Sequence, residues 1–442
     1  MSREPDTLVG LCVGTTKIAV IVAARDYRSR EAVQIVGIGS APSEGIRKGL
    51  IVNLEQAVRS VRNAIKDAEN IVGFRLTHAV VAFNAVNVVS VTSSGMVSLG
   101  RNARPMPVQV DDVERVIDDA QSKLSIQANK LSLHTIPVRY SIDGNPGIED
   151  PLSMTGMRLE MDLQTVTVPM PYVHNVVRCV KRAGIEVEGL VIKPIAAALG
   201  ALTEEEMRVG AISICIGGGT TGLAFYSGGR PIKAGIIPIG GDHITNDLTT
   251  VLRLPLKKAE EVKKRIFIME NEDPIEMVPR QSERIIDPNT VLEIIGCRLE
   301  ELFAEHVAAL IPEHDPKLFP AGIVLSGGVA KTPGIENLIS DIFKMPARVV
   351  DPQEYYQMPP GRVDPSYVNA IGTIRYILSK ERNPYSFIDA PKTLWNISDH
   401  IPRPLREEGQ REPHHIPTGR GMADTIKDVM EKIKESFKDL FI

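Results

Sequence analysis

Leu8–Val22 reads LVGLCVGTTKIAVIV, and Ala211–Tyr226 reads AISICIGGGTTGLAFY. In both, an apolar strand runs into glycine and a pair of threonines and then into a second apolar strand. That is the pattern of a β-hairpin whose turn carries no side chain to block close approach. Backbone N–H groups at such a turn can converge on an anion. The candidate donors are Gly14, Thr15, Thr16 and Lys17 in the first stretch and Gly217, Gly218, Gly219, Thr220 and Thr221 in the second. A third junction, AGIVLSGGVAKTPGI, ends an apolar strand at Gly327 and Gly328. One glycine turn alone is weak, since such hairpins are common. Recurrence of GTT about 200 residues along the chain points to a duplicated hairpin, two halves of which can grip a phosphate chain from opposite sides.

Working outward, the first 80 residues or so alternate β-rich runs (8–13, 18–23, 33–39, 78–83) with one helical pattern over 54–69, an α/β layering. From 84 to 169 the texture changes to short alternating strands, VNVVSVTSSG and HTIPVRYSID, around an acidic helix starting at DDVERVIDDA, which reads as an inserted subdomain. The opening pattern then returns, with helices at 173–183 and 194–202 and strands at 187–192, 211–216, 222–227 and 230–237. The expected organisation is therefore one lobe from 1–83 with 170–203, an insertion at 84–169, a second lobe from 204–242 with 312–385, and a helical subdomain at 243–311.

The 442 residues suffice for two or three domains and hence a cleft between them. A net charge of −4 gives no basic excess to favour nucleic acid. Cys12, Cys179, Cys215 and Cys297 form no CxxC pair and no zinc spacing, so no metal site is expected, and a reducing cytoplasm fits them best. No signal peptide and no apolar run of membrane-spanning length are expected.

These motifs resemble the superfamily of actin, the heat-shock chaperones and sugar kinases, and within it the FtsA family of bacterial cell division. The residues carrying the likeness are GTTKIAV (14–20), IGGGTTG (216–222), IPIGGDHITNDL (237–248), AEEVKKR (259–265), LSGGVAKTPGI (325–335) and NAIGT (369–373), spread over 5–385. The resemblance implies an actin-like α/β fold, a ribonuclease H-like unit used twice, with an FtsA-type subdomain inserted. It also implies ATP, with Mg²⁺, in the cleft. Gly14 to Lys17 and Gly217 to Thr221 would line the phosphates beside Gly240 and Gly241. Glu260 and Lys263 would take the ribose and adenine edge, and Gly327 and Gly328 the adenine face. On the residues alone, AEEVKKR reads as a solvated helix face with i,i+3 ion pairs.

Two departures matter. Where the superfamily carries aspartates on the strands entering the phosphate loops, this chain has Cys12 and Cys215, and the aspartate usual after GGGTT is Gly222. Mg²⁺ wants oxygen ligands, so hydrolysis is expected to be weak or absent while glycine-based phosphate binding persists. Each cysteine reads either as a small filler at a buried strand end or as half of a soft-metal or redox pair.

Residues 386–421 hold five prolines among mixed charges and read as a disordered linker. Beyond it, Met422, Ile426, Val429, Met430, Ile433, Phe437, Leu440 and Phe441 fall on one stripe of an amphipathic helix. It can lie on a membrane surface, or in a partner groove or coiled coil. The resemblance favours the membrane. It implies a peripheral adaptor on the cytoplasmic face of the inner membrane at the division site. Such an adaptor tethers filaments of the tubulin-like FtsZ by its C-terminal peptide, meets other division proteins and polymerises with itself. Arg298 and Glu301, one helical turn apart, are the candidate peptide contacts. The competing expectations are a pilus-assembly or chaperone-like homologue binding another peptide, and a small-molecule kinase. The kinase would need an acidic base near the loops, and neither generally needs an amphipathic foot.

Overall fold

The computed structural model describes residues 7–25, 33–100, 104–266, 286–311, 316–352 and 364–395. The strands Thr7–Val13 and Lys17–Arg25 pair antiparallel through the first GTT turn, with Cys12 opposite Ala19, and Val33–Pro42 extends the meander. His78–Phe83 then runs parallel to Thr7–Val13, and Glu186–Ile192 parallel to His78–Phe83. The second sheet repeats this step for step. Ala211–Ile216, Thr221–Ser227 and Arg230–Ile237 form the meander, and Ile323–Ser326 and Ala347–Val349 add in parallel. In both, the spatial order is third, second, first, fourth, fifth strand. The duplication expected from two GTT turns is thus a duplication of whole sheets.

The sequence explains the first lobe's helix. Asn53 caps Leu54–Val72 by accepting from the Gln56 N–H, and Gly73, at φ 79°, ends it in the left-handed conformation that glycine adopts freely. Its buried face, Ala57, Val58, Val61, Ala64, Ile65 and Ala68, covers the first sheet.

Two further helices join the halves. Lys193–Ala201 is buried from Pro194 to Ala201, as an apolar helix must be when it touches strands of both sheets. Val368–Arg382 crosses it at two glycines. A Cβ on Gly372 would overlap the Ala196 carbonyl oxygen, and one on Gly200 would overlap that of Val368.

The insertion differs from expectation. Its strands are long: Lys130–Ile142 and Arg158–Pro169 span 13 and 12 residues. One half of each (Leu131, Leu133, Ile136; Val166, Val168) belongs to the first lobe's core, while the other (Tyr140, Ile142; Leu159, Met161, Leu163) builds the insertion's own. Val86–Val88, read as strand, precedes the strand Val89–Ser98, because Asn87 turns the chain at φ 61°. The helix Val110–Ser122 lies over Gly95 and caps that edge strand. Asp119 accepts from the Met96 N–H (2.8 Å), and Lys123 and Arg115 donate to the Ser94 and Ser98 carbonyls. Those partners occupy groups an edge would otherwise offer to a foreign strand.

The expected linker does not begin at 386. Ile388–Asp389 pairs with Thr135 and His134 of the insertion's sheet, and the short helix Lys392–Trp395 buries Trp395, whose Nε1 donates to the Ala390 carbonyl. Apolar Phe387 and Trp395 outweigh the proline-rich composition here. Residues 396–421 of that linker, and the whole amphipathic stripe from Met422 to Phe441, lie outside the described residues.

Gly372→Ala is expected to lose about 2 kcal/mol or more of stability, because neither helix backbone can yield at the crossing. Thermal unfolding of the purified variant reads the loss, and a wild-type melting temperature would show that the crossing has slack.

Candidate functional site

The two GTT turns face each other. A Cβ on Gly14 would overlap the Lys17 carbonyl oxygen, so this tight turn requires glycine. On the opposite side Gly217 N–H donates to Thr220 O at 2.9 Å, and the next segment folds onto the same turn. There Gly241 N–H donates to Gly217 O (2.9 Å) and Asp242 N–H to Gly218 O (2.7 Å). A Cβ on Gly240 would come within 2.5 Å of Gly217 O. Thr16 packs against Gly218 and Thr15 against Gly219, while Gly49 N–H donates to Thr15 Oγ1 (2.9 Å) and Asn84 Nδ2 to Thr220 Oγ1 (2.7 Å).

Lys17 lies beside this junction. Its Nζ donates to Ser366 Oγ (2.6 Å) and sits 3.3 Å from the centre of the Tyr367 ring. Burial lowers its pKa to about 8, against the opposing pull of Asp364 and Cys12 and with Lys331 adding to the depression. Asp364 itself is held by Lys331 and the Ser366 hydroxyl. At the third turn Gly327 has φ 91° and donates to Pro365 O at 2.9 Å, while Gly328 borders open space.

Several predicted residues serve the protein rather than the opening. Thr221 is fully buried and donates to Ile239 O (2.8 Å), so it anchors the loop and offers no free hydroxyl. The Thr220 hydroxyl is buried against Asn84. Lys263 is buried, donating to Gly241 O (3.0 Å) and Thr245 Oγ1 (2.7 Å) and pairing with Glu260 at 2.6 Å. Burial opposes ionisation of Glu260, yet Lys263 and the Thr245 hydroxyl hold its carboxyl below the usual range. The i,i+3 pair read in AEEVKKR exists, but it braces the Gly241 turn instead of facing water. Arg298 makes a bidentate pair with Asp247 (2.6 and 2.9 Å) and a further bond to Glu301 (2.6 Å). The two peptide-contact candidates are therefore each other's partners, clamping the helix Pro288–Glu301 to Gly241–Leu252.

Sequence reasoning missed Lys193, Asn369 and Asp242. Lys193 opens a helix at the carboxyl end of a parallel strand, the end where α/β sheets place ligands, and Pro194 marks that junction. Its Nζ would lie 3.6 Å from a Cβ on Gly14. Asn369 Nδ2 donates to Cys215 Sγ at 3.2 Å, leaving its own Oδ1 without a partner. Asp242 Oδ1 lies against Gly218, and burial raises its pKa. Cys12 and Cys215 are both buried at the strand ends, with burial pushing the Cys215 thiol up. Among the described residues no helix is long and apolar enough to cross a membrane. Glu301, Glu305 and His306 bring ligand atoms within 4.8 Å of one another, with Glu301 already bonded to Arg298.

Two sheets of identical order, their first hairpins face to face and a helix pair between them, define the actin-like class of two-lobed α/β proteins. Comparison with known proteins narrows this. A family model described as cell division protein FtsA matches residues 212–372, and one described as the SHS2 domain inserted in FtsA matches 86–167. The cell division protein FtsA of Pseudomonas aeruginosa is 34% identical over 386 residues, 86% of this chain and 91% of its own length. That of Borreliella burgdorferi is 35% identical over 384 residues, 85% and 91% of the two chains. The chain belongs to the FtsA family of actin-like cell division proteins. Among solved structures, the PilM–PilN type IV pilus biogenesis complex aligns with a TM-score of 0.55 at 18% identity. It covers 83% of this chain and 98% of that one, a likeness of fold alone.

Lys263→Met is expected to cost about 1–3 kcal/mol by removing the ammonium that neutralises Glu260, which keeps only the Thr245 hydroxyl and the exposed Lys264, and by taking one donor from the Gly241 carbonyl. Adding Glu260→Gln should recover part of the loss in a chemical denaturation series. Additive losses would show that the two residues act independently.

Proposed function

We propose that this chain is a nucleotide-binding membrane adaptor of bacterial division. In this reading it tethers FtsZ filaments to the cytoplasmic face of the membrane at the division site and associates with copies of itself. The observation that carries the nucleotide half is the pair of glycine turns, Gly14 and Gly217 to Gly219, facing each other with Lys17 alongside. Backbone amides and an ammonium suit a phosphate chain. Gly240 and Gly241 would support the second turn, the Glu260–Lys263 pair would border the ribose, and the open side of Gly328 would take the adenine. The kinase reading is weaker because the strand ends carry thiols. Family membership supports division over pilus assembly.

The body would comprise the two lobes, 1–83 with 170–203 and 204–242 with 312–385, the insertion at 84–169 and the helical part at 243–311. The remainder of the expected linker, 396–421, would be the tether, and 422–442 the amphipathic foot. At ~1.5 Å per residue that foot is about 30 Å long, enough to lie on a surface with its charged face in water. Because Arg298 and Glu301 are already paired, a C-terminal peptide would have to approach the rim of their helix or compete for Arg298.

Occupancy, rather than turnover, would be the signal. A ligand between the turns must part or brace the contacts of Thr16 with Gly218 and Asn84 with Thr220, and that sets the lobes for assembly.

Recruitment of purified FtsZ to liposomes tests tail, body and partner together. The intact chain is expected to carry FtsZ up a flotation gradient, and a chain ending at 421 is not. Equal flotation by both would refute the foot. The cleft has its own signature. Bound phosphate favours the Lys17 ammonium, so binding must take up a proton once pH exceeds the free-state value of about 8. ATP affinity should be steady below that pH and fall by up to about tenfold per unit above it. Lys17→Gln should bind more weakly and lose the step.

A further inference from the structure

The strands that enter the two turns end in side chains that cannot organise a hard cation. Mg²⁺ takes oxygen ligands and in nucleotide sites leans on one or two carboxylates beside the phosphates. Here Cys12 and Cys215 occupy those strand ends, and burial keeps Cys215 a neutral thiol. The unpartnered acceptor beside Cys215 is the Asn369 amide oxygen, which brings no charge. Asp242, whose Oδ1 lies against Gly218, is not among the groups acting on Cys215, which are Ser326, Asn369, Lys193 and Cys12. The residues present therefore do not fit the Mg²⁺ that the fold family implies.

Positive charge is supplied in another way. Lys193 Nζ lies beside the Gly14 turn, and its field also reaches Cys215 on the other strand, so it stands between the two halves. It makes no ion pair or hydrogen bond with the described residues, although it is half-buried. A half-buried ammonium with no counter-charge is costly unless an anion joins it. Lys17 is the second cation at the same turn. Two ammonium groups carry six donors, one of them already given to Ser366, and two charges, close to what one divalent ion contributes to a phosphate chain.

Resting on the nucleotide reading above, we infer that this cleft binds the phosphate chain of a free nucleoside polyphosphate directly through Lys17 and Lys193, without a divalent cation. Lys193 is then a binding residue with a place in the site that the cysteines leave open.

Calorimetric titration of the full chain with ATP, in EDTA and again in excess Mg²⁺, tests this. Affinity in EDTA is expected to match or exceed that in Mg²⁺. Lys193→Gln should lower the EDTA affinity about tenfold, the worth of one charge-assisted contact, while Lys193→Arg stays within about threefold of wild type. Cys215→Asp places a carboxylate opposite Lys193 and should weaken binding in EDTA while making Mg²⁺ favourable. Thermal unfolding of each variant separates lost binding from lost fold. A gain of about tenfold or more from Mg²⁺ in the wild type overturns the inference and leaves the nucleotide reading standing. So does an unchanged EDTA affinity in folded Lys193→Gln. Absence of ATP binding in both media overturns the nucleotide reading itself and the inference with it.

Discussion

The close crossing of Lys193–Ala201 and Val368–Arg382, backbone against backbone at Gly200 and Gly372, fixes the rest of the arrangement. Each helix packs on the first sheet, and Lys193–Ala201 also meets four strands of the second. Their separation therefore sets how the two sheets stand. The starts of both helices carry site residues: Lys193 leads one, and Asn369 is the second residue of the other. A side chain at either glycine would push the helices apart and move the ammonium away from the Gly14 turn and the amide away from Cys215. Geometry at the cleft thus depends on two glycines whose own positions are outside it.

A second tie links the insertion to the segment Ile388–Asp389. His134 is fully buried, with Nδ1 bonded to Asp389 at 2.9 Å and Nε2 accepting from the Ile192 N–H. That pattern places the proton on Nδ1. Tyr376 and Lys380, from the crossing helix, donate to the same Asp389 carboxylate. Burial opposes its charge, but His134 and Lys380 hold its pKa below the usual range. One carboxylate from the C-terminal segment therefore joins the insertion's strand to the helix that crosses between lobes. The shared strands reinforce this, since Lys130–Ile142 and Arg158–Pro169 each contribute to both cores. The insertion is rooted in the first lobe, not hung from it.

Much of this was legible in the sequence because it rests on local chemistry. Gly14 occupies a turn whose own backbone excludes a side chain, Gly218 and Gly219 lie against Thr16 and Thr15, and the apolar runs beside them read as buried strands. The capped helix from Leu54 was equally plain, with Asn53 before it and Gly73 after it. What escaped depends on contacts far apart in sequence. Thr221 looked like a phosphate donor until its partner, the Ile239 carbonyl, was known. Arg298 looked free to meet a peptide, although Asp247, 51 residues away, holds it. Residues 387–395 read as linker because prolines and charges dominate the window, whereas two aromatic side chains and one carboxylate decide their place. Lys193 stands at the first position of an otherwise apolar helix, just before the span 194–202 that the periodicity picks out.

The same reasoning bears on what a cleft built this way can do. A ligand shifts a conformational equilibrium only by as much as it prefers one state over the other. Here the opposing turns already touch through Thr16 and Gly218, and the Asn84–Thr220 bond ties the start of the insertion to the second lobe. A phosphate chain drawn in by two ammonium groups would replace those contacts with its own, so its preference for one lobe arrangement is built into where it must sit. Hydrolysis is not needed to reverse that; dissociation is enough. In the nucleotide reading, two buried thiols where the family resemblance implies carboxylates would remove acids that repel phosphates and that could organise an ion or an attacking water, and Lys193 would add attraction. In that reading, all three features would move the site in one direction, toward holding an anion and away from cleaving it. A protein whose task is to present one shape while occupied and another while empty can dispense with the chemistry and keep the clamp.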